Sequence, residues 1–326
     1  MKMTRQHFLA GVAALMTSVA LPAAAADWPD GPVTMIVPWG AGGGTDATAR
    51  MIGSILEEQI GVPVPVQNRT GGSGVIGHAG IADAAPDGQT IGVATLEIGT
   101  MHHLGLTELD YTGYTPLGLY NADPAAIFVQ AKSDYATIAD LLSALNAASD
   151  GEIKGSGSAQ GGVNHLALAG MLMAAGMPAS RVTWVPSEGA APGLQDLAAG
   201  GVAVATASLP EAAALMEAGL IRPLAVFSND RLDIAPDVPT FTEATGHEFA
   251  LGSWRGLVAP AGLDPAVADK ITAALGAVVA DPRYTEFMAQ RGYAMQWTTG
   301  ADFEAFMKAS DARLGETLKA VGLAPE

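Results

Sequence analysis

The sequence predicts an α/β chain folded as two lobes, and three observations carry that expectation. Short apolar runs alternate with stretches of helical periodicity, as strands joined by crossover helices do. Three glycine-rich segments each fall after a strand and before a helix, and they are divided between two halves of the pattern. The strand–helix pattern also restarts near Ala125, and at 326 residues a chain commonly holds about two domains.

Residues 33–37 read as the first strand. The spacing predicts a helix over 45–59, with Met51, Ile52, Ile55 and Leu56 on one face and Glu57 and Glu58 on the other. Strands over 64–67, 90–94 and 125–130 follow, with a helix over 74–84. Thr137 with Asp140 three residues on forms a capping box that starts a helix running to about Ala148. Residues 166–175 are apolar on all sides, as a buried helix would be. Short strands over 182–185, 202–206 and 224–227 are separated by helices over 190–199 and 211–218, and 256–259 is strand-like. Asp264-Pro265 and Asp281-Pro282 each set an N-cap before a proline at the first helical position. Val267, Ile271, Leu275 and Val278 then recur at helical spacing, and Phe303, Phe306, Ser310, Leu314, Leu318 and Val321 stripe a last helix. Strands alternating with helices predict parallel pairing.

The sharpest local feature is Pro38-Trp39-Gly40-Ala41-Gly42-Gly43-Gly44-Thr45-Asp46. Glycines let backbone approach a ligand, and a helix start offers free N–H groups and a positive dipole end, which suits an anion. No lysine follows as a phosphate loop requires, Thr45 stands where a dinucleotide fingerprint needs its third glycine, and no Gly-x-Ser-x-Gly elbow occurs. The same residues would also serve as an ordinary tight turn. Asn68-Arg69-Thr70-Gly71-Gly72-Ser73-Gly74 is a second such loop, whose Arg69 could hold a carboxylate or a structural partner. Residues 155–162, with Ser156, Ser158 and Ala159, form the third. Together the loops predict a cleft lined by backbone donors, with Trp39 placed to wall the ligand.

Charged residues make up 15% of the chain, yet the net charge is −17, which argues against nucleic acid and anionic membranes because both need a basic face. Without cysteine there is no disulfide, thiolate metal site, thiol nucleophile or lipid-modified N-terminal cysteine. His102 and His103, being adjacent, are expected to point apart, and His78, His165 and His247 are isolated, so no metal site is expected. Residues 1–26 read as a secretory leader: Lys2 and Arg5 precede a short apolar run, and Ala24-x-Ala26 gives the small-residue cleavage pattern before Asp27. That run falls short of the about 20 apolar residues a membrane span needs. Residues 166–177, the longest later apolar run, read as a buried helix.

These residues resemble the periplasmic solute receptors of tripartite tricarboxylate transporters, also called the Bug family. The likeness spans nearly the whole mature chain: Trp28-Pro29, then Val37-Pro38-Trp39, where the family commonly shows Val-Pro-Phe, then Gly42-Gly43-Gly44-Thr45-Asp46 with Ala49-Arg50. It continues through Gln67-Asn68-Arg69-x-Gly71, Ala85-Pro86-Asp87-Gly88-x-Thr90, Ser156-Gly157-Ser158 with His165-Leu166, and Pro192 with Asp196-Leu197 and Gly200-Gly201-Val202. Pro236-Asp237-Val238-Pro239-Thr240 with Glu243, and Trp254-x-Gly256-Leu257-x-Ala259-Pro260, complete it.

The resemblance implies two α/β lobes closing like a flytrap on a small carboxylate, for delivery to membrane subunits of a tripartite transporter. It implies a periplasmic monomer with no cofactor, no metal and no catalysis. Carried over, it points to Trp39, Gly40, Ala41, Gly42, Gly43, Gly44, Thr45, Asp46, Thr95, Ser158, Ala159, Thr206 and Ser208 as ligand-binding, and Asn68 comes in with the second loop. Two departures touch the same cleft. The family commonly reads Val-Pro-Tyr-Lys-Gly where this chain has Val185-Pro186-Ser187-Glu188-Gly189, and residues 96–103, with Glu97, replace a Ser- and Gly-rich stretch. Ser187 and Glu188 therefore join the candidate site. Glu188 in the cleft would disfavour a tricarboxylate, whereas Glu188 in solvent would say nothing of the ligand. The expected lobes are 27–124 plus 251–326, and 125–250. A sensory receptor of the same fold, signalling to a membrane kinase, and a secreted hydrolase using a serine of the glycine loops are the alternatives.

Overall fold

The computed structural model describes residues 28–324. The expected leader, residues 1–26, lies outside the described residues. In chain order the first elements are β1 (Thr34–Val37), α1 (Gly44–Ile60), β2 (Val66–Asn68), α2 (Val75–Ala82), β3 (Thr90–Thr95) and β4 (Tyr114–Gln130). Then come α3 (Ile138–Ala147), β5 (Ile153–Ser156), α4 (Val163–Ala174), β6 (Val182–Trp184), α5 (Ala190–Ala199), β7 (Val204–Ser208), α6 (Leu209–Glu217) and β8 (Ile221–Val226). The chain closes with α7 (Phe241–Thr245), β9 (Gly252–Pro260), α8 (Pro265–Val279), α9 (Pro282–Arg291), β10 (Met295–Thr298) and α10 (Gly300–Ala320).

The strands run in the order β2-β1-β3-β9-β4-β7-β5-β6, with β10 and β8 also paired to β4. β4 is the shared member: its first part pairs with β9 and β10, and from Ala125 onward its partners are β7 and β8. Pro124 faces Gly252 at the changeover, where proline offers no N–H and the missing side chain of Gly252 leaves room for the Asp123 carbonyl. On the next rung the Ala125 N–H donates to the Leu251 carbonyl at 2.9 Å.

Parallel pairing holds at the outer strands of both halves, β1 with β2 and β3, and β5 with β6 and β7. The centre differs from expectation: β9 is antiparallel to β3 and β4, and β4 to β7 and β8. Periodicity reports burial, and burial on both faces is the same for either direction. The strand expected over 125–130 is the second part of a 17-residue strand. Its first part carries Pro116, Gly118, Asn121, Asp123 and Pro124, residues that read as breakers. β10 and α7 were not anticipated, being only 4 and 5 residues long.

Local signals fixed the helix starts. Thr137 and Asp140 form the reciprocal capping box, and Asp264 and Asp281 accept the N–H of Ala266 and Arg283. Helices α1, α8 and α9 cover one face of the first sheet through Ile52, Leu56, Ile271 and Leu275, and α2 and α10 cover the other through Ile81, Phe303 and Leu314. In the second half Leu141, Leu168 and Phe241 pack one face, and Leu194, Leu197 and Ala212 the other. Truncating a fully buried ring such as Phe303 would cost about 3–5 kcal/mol. Among the described residues no helix is long and apolar enough to cross a membrane, and α4 is a buried helix.

Candidate functional site

The first glycine loop delivers the start of α1 into the gap between the two halves. The Gly42 N–H donates to Asp46 Oδ2 at 2.9 Å, while Asp46 Oδ1 accepts from Asn68 at 2.9 Å and from Arg50 at 2.8 Å. Burial acts to raise the Asp46 carboxyl, but the hydrogen bonds from Arg50, Gly42 and Asn68 outweigh it and hold it below its ordinary value. Asn68 also donates to the Trp39 carbonyl at 2.9 Å. These residues brace the loop. Gly43 is the N-cap of α1, and no side chain caps the helix there. A Cβ at Gly44 would stand 2.7 Å from a guanidinium nitrogen of Arg255, so a larger residue there would push on the Arg255–Glu211 pair.

The second loop, 71–74, supports the first from behind. Gly71, Gly72, Ser73 and Gly74 have φ of 112°, 59°, 57° and 93°, a run that only a glycine-rich segment tolerates. Gly74 lies against the Trp39 ring, and its carbonyl meets His78 Nδ1 at 2.9 Å. Burial lowers His78 to about 4, so its ring is neutral.

The third loop leads β5 into α4. The Asn164 amide donates to the Gly157 carbonyl at 2.8 Å, and the Thr206 hydroxyl to the Asn164 carbonyl at 2.6 Å. Trp184 Nε1 and the Ser187 N–H both donate to the Ser158 carbonyl, at 3.2 and 3.0 Å. His165 stacks on Trp184 and accepts the Gly161 N–H at 3.0 Å, and burial lowers it to about 4.

Between these loops lies a cavity with a mouth open to solvent. Trp39, Gly40, Gly43, Gly44 and Thr45 wall one side, Thr95, Leu96 and Glu97 the floor, and Ser158, Val163, Asn164 and residues 188–192 the other side, with Glu211 and 253–255 closing the end. Polar contacts cross the cavity from one half to the other: the Gly40 N–H to the Glu188 carbonyl at 3.1 Å, the Val163 N–H to Glu97 Oε1 at 3.1 Å, and Arg255 to Glu211 at 2.8 Å.

Of the residues expected to bind ligand, the cavity brings together Trp39, Gly40, Gly43, Gly44, Thr45, Thr95, Ser158 and Glu188. It does not include Gly42, Asp46 or Asn68, which belong to the loop's own bracing, nor Ala41, which is exposed, nor Arg69, which is exposed and donates to Gln67. Ala159 and Ser187 line a shallower depression beside Trp39 and 71–74. Thr206 lies beneath Asn164, and Ser208 forms a capping box with Glu211, so each contacts a lining residue instead of the cavity. Glu188 is an exposed residue at the mouth whose backbone makes the crossing contact.

Sequence reasoning missed Arg255, Glu211 and Asn164 as lining residues. Arg255 is buried on β9 and donates to Thr45 Oγ1 at 3.1 Å, Asp123 at 2.8 Å, Glu211 at 2.8 Å and Asn121. Glu97, which the sequence placed beside the cleft as a departure from the family pattern, is buried. Trp39 Nε1 donates to Thr95 Oγ1 at 3.1 Å, and that hydroxyl donates to Glu97 Oε2 at 2.5 Å. Burial pushes the Glu97 carboxyl up, against the hydrogen bonds from Thr95 and Val163 and the charge of Arg255.

His102 and His103 do not point apart. They sit in a tight turn rather than in a helix or strand, and their rings lie 4.0 Å apart, both against Asp311 of α10.

Comparison with known proteins gives the family and agrees with the fold. A family model described as the tripartite tricarboxylate transporter family receptor matches residues 48–323. The protein BugT of Bordetella pertussis is 31% identical over 271 residues, 82% of this chain and 82% of its own. A UPF0065 protein from the tcbD–tcbE intergenic region of Pseudomonas sp. strain P51 is 32% identical over 292 residues, 88% of this chain and 86% of its own. Among solved structures, the periplasmic binding protein BugD superposes with a TM-score of 0.84 at 28% identity, covering 92% of this chain and 100% of that one. An R. palustris protein solved with adipate gives 0.85 at 31% identity, with the same coverage.

Proposed function

This chain belongs to the tripartite tricarboxylate transporter receptor family, and we propose that it captures a small carboxylate in the cavity, with the carboxylate seated on the start of α1. The observation that carries this is the α1 N-terminus itself. It opens into a cavity, no side chain caps it, and the neutral hydroxyls of Thr45, Thr95 and Ser158 stand nearby. Backbone N–H groups and the helix dipole favour an anion there without a matching cation. Arg255 is already engaged by Asp123 and Glu211, so its charge is balanced within the protein. A relative of known structure holding adipate, a linear dicarboxylate, supports the carboxylate class.

The floor of the cavity narrows the ligand further. Glu97 sits on the start of α4, where a second ligand carboxylate would otherwise go. The preferred ligand therefore carries one carboxylate and, at its other end, a hydroxyl or amine that donates toward Glu97. Binding rather than hydrolysis is favoured by the serine of the third loop: Ser158 Oγ donates to the Ala159 carbonyl, and the ring of His165 is engaged elsewhere. We place the lobes at 27–124 plus 251–326 and at 125–250, on the change of β4 partners at Ala125. The chain acts as a periplasmic monomer, released from its 1–26 leader, that presents its ligand to transporter membrane subunits.

Thermal-shift screening tests the reading, because a ligand at 100 times its Kd stabilises by about 2.7 kcal/mol. Short hydroxy- or amino-carboxylates should raise the Tm most, and plain alkyl diacids less. If only neutral sugars or peptides raise it, the carboxylate reading is wrong. Turnover of the ligand that disappears in Ser158→Ala would overturn the receptor reading.

A further inference from the structure

We infer that His102, His103 and Asp311 form a binding site for one divalent transition metal, zinc by ligand type, on the face of the molecule where the turn after Glu97 meets α10. The three side chains converge from two elements. His102 Nε2 lies 3.1 Å from Asp311 Oδ1, His103 Nε2 lies 3.7 Å from Asp311 Oδ2, and one ligand atom from each residue falls within 4.8 Å of the others. Zinc binds imidazole nitrogen and carboxylate oxygen at about 2.0–2.2 Å, so tetrahedral ligand atoms stand roughly 3.3–3.5 Å apart. The two observed separations bracket that spacing.

An ion pair explains the cluster less well. One carboxylate faces two imidazoles, and Asp311 Oδ1, His103 Nε2 and His102 Nδ1 are each buried without a hydrogen-bond partner. The 3.1 Å approach of His102 to Asp311 is thus close without being aligned for a hydrogen bond, as expected of two ligands around a common cation. The backbone makes room for the arrangement. The turn is wound by the Leu104 N–H donating to the Thr100 carbonyl and the Gly105 N–H to the His102 carbonyl, both at 3.0 Å, which brings adjacent histidines to one side. Gly315 on α10 has no side chain, and a Cβ there would stand 2.6 Å from the His103 ring. The three side chains are 17–27% exposed, so the cluster lies just beneath the surface. Asp110 acts electrostatically on Asp311 from nearby, and the chain carries a net charge of −17, so the field favours a cation. Two imidazoles and one carboxylate select a transition metal over calcium or magnesium, which prefer all-oxygen shells.

The test uses full-length mature protein purified without a polyhistidine tag and stripped with EDTA. Titration with ZnCl2 by calorimetry should give one site per chain, and CoCl2 should give a visible d–d spectrum. His103→Ala and Asp311→Asn should each weaken zinc binding at least about tenfold, whereas His247→Ala should leave it unchanged. Calcium should not compete. Should a variant fail to fold, side-chain imidazole NMR of the wild type with and without zinc gives the answer directly, since only His102 and His103 should shift. No binding, binding that survives Asp311→Asn in a folded protein, or zinc shifts at other histidines would overturn the site.

Discussion

Two helix starts face each other across the cavity, and they are finished differently. α1 begins at Gly43 with no side-chain cap, and α4 begins at Gly162 with none of its own either. Yet the first N–H of α4, that of Val163, is taken by the Glu97 carboxylate from the opposite half, at 3.1 Å. One positive helix end carries no side-chain partner and the other is satisfied by a built-in acid. On the proposed binding mode, the difference teaches how one receptor frame can be retuned: an acid placed opposite a helix start would take that start from the ligand and leave an acceptor in its place.

The largest expected effect comes from the residue that ties the α1 start down. Arg255→Met leaves Asp123 and Glu211 buried without a counter-charge, which should cost about 3–5 kcal/mol in urea unfolding. It also removes the hydrogen bond to Thr45, so ligand affinity at the α1 end should fall. A loss under about 1 kcal/mol would mean that the network does not hold the α1 end in place.

Emptying the other helix start should give a smaller stability change and a change of preference. Glu97→Ala strands the Val163 N–H and the Thr95 hydroxyl and should cost about 1–3 kcal/mol. It also opens the α4 start to a ligand carboxylate, so the affinity ratio of diacid to monoacid should rise about tenfold or more by calorimetry, some 1.4 kcal/mol. An unchanged ratio would show the two helix starts to be independent of Glu97. The acid has a pH signature as well. Burial raises the Glu97 carboxyl above its ordinary 4.5, so the folded state holds that proton more tightly than the unfolded state. Its contribution is fully present below pH 4.5 and is lost as pH rises through the raised value. Glu97→Gln should therefore gain on the wild type in Tm as pH is raised above 4.5. His78 and His165, lowered to about 4, act in the opposite sense and lose stability as pH falls below 6.5. Because they are common to both proteins, the difference between variant and wild type is the quantity to follow. A flat difference would show that the Glu97 carboxyl is not raised.

The smallest effect sharpens the comparison from outside it. α3 starts on a side chain of its own, Thr137, in a complete capping box. Thr137→Ala should cost about 1 kcal/mol and leave ligand affinity unchanged. A change in affinity would mean that helix starts remote from the cavity also tune binding.

The loops and most helices were legible because their signals are local. Asp-Pro caps, glycine runs and a 3.6-residue stripe depend on residues within one turn of each other. The glycine walls of the cavity, Gly40, Gly43 and Gly44, were found this way. Strand direction, the first part of β4, and the roles of Arg255 and Glu211 were not legible, because each depends on residues brought together from far along the chain. Arg255 and Thr45 are 210 positions apart. Asp46 and Asn68 misled for a related reason: in a sequence, a residue that braces a site and one that lines it look the same. The histidine pair misled through an assumed geometry, since adjacent side chains diverge in helices and strands but not in a tight turn.

The rung where Pro124 meets Gly252 has a mechanical consequence. β4 and β9 run side by side through the middle of the molecule, and a laddered strand pair resists torsion wherever its rungs are complete. Glycine supplies no side chain to stiffen this rung, which holds no ladder hydrogen bond, while the next rung has the Ala125 N–H bonded to the Leu251 carbonyl. A torque between the halves would act first on this step of the central strand pair, where β4 exchanges one set of partners for the other.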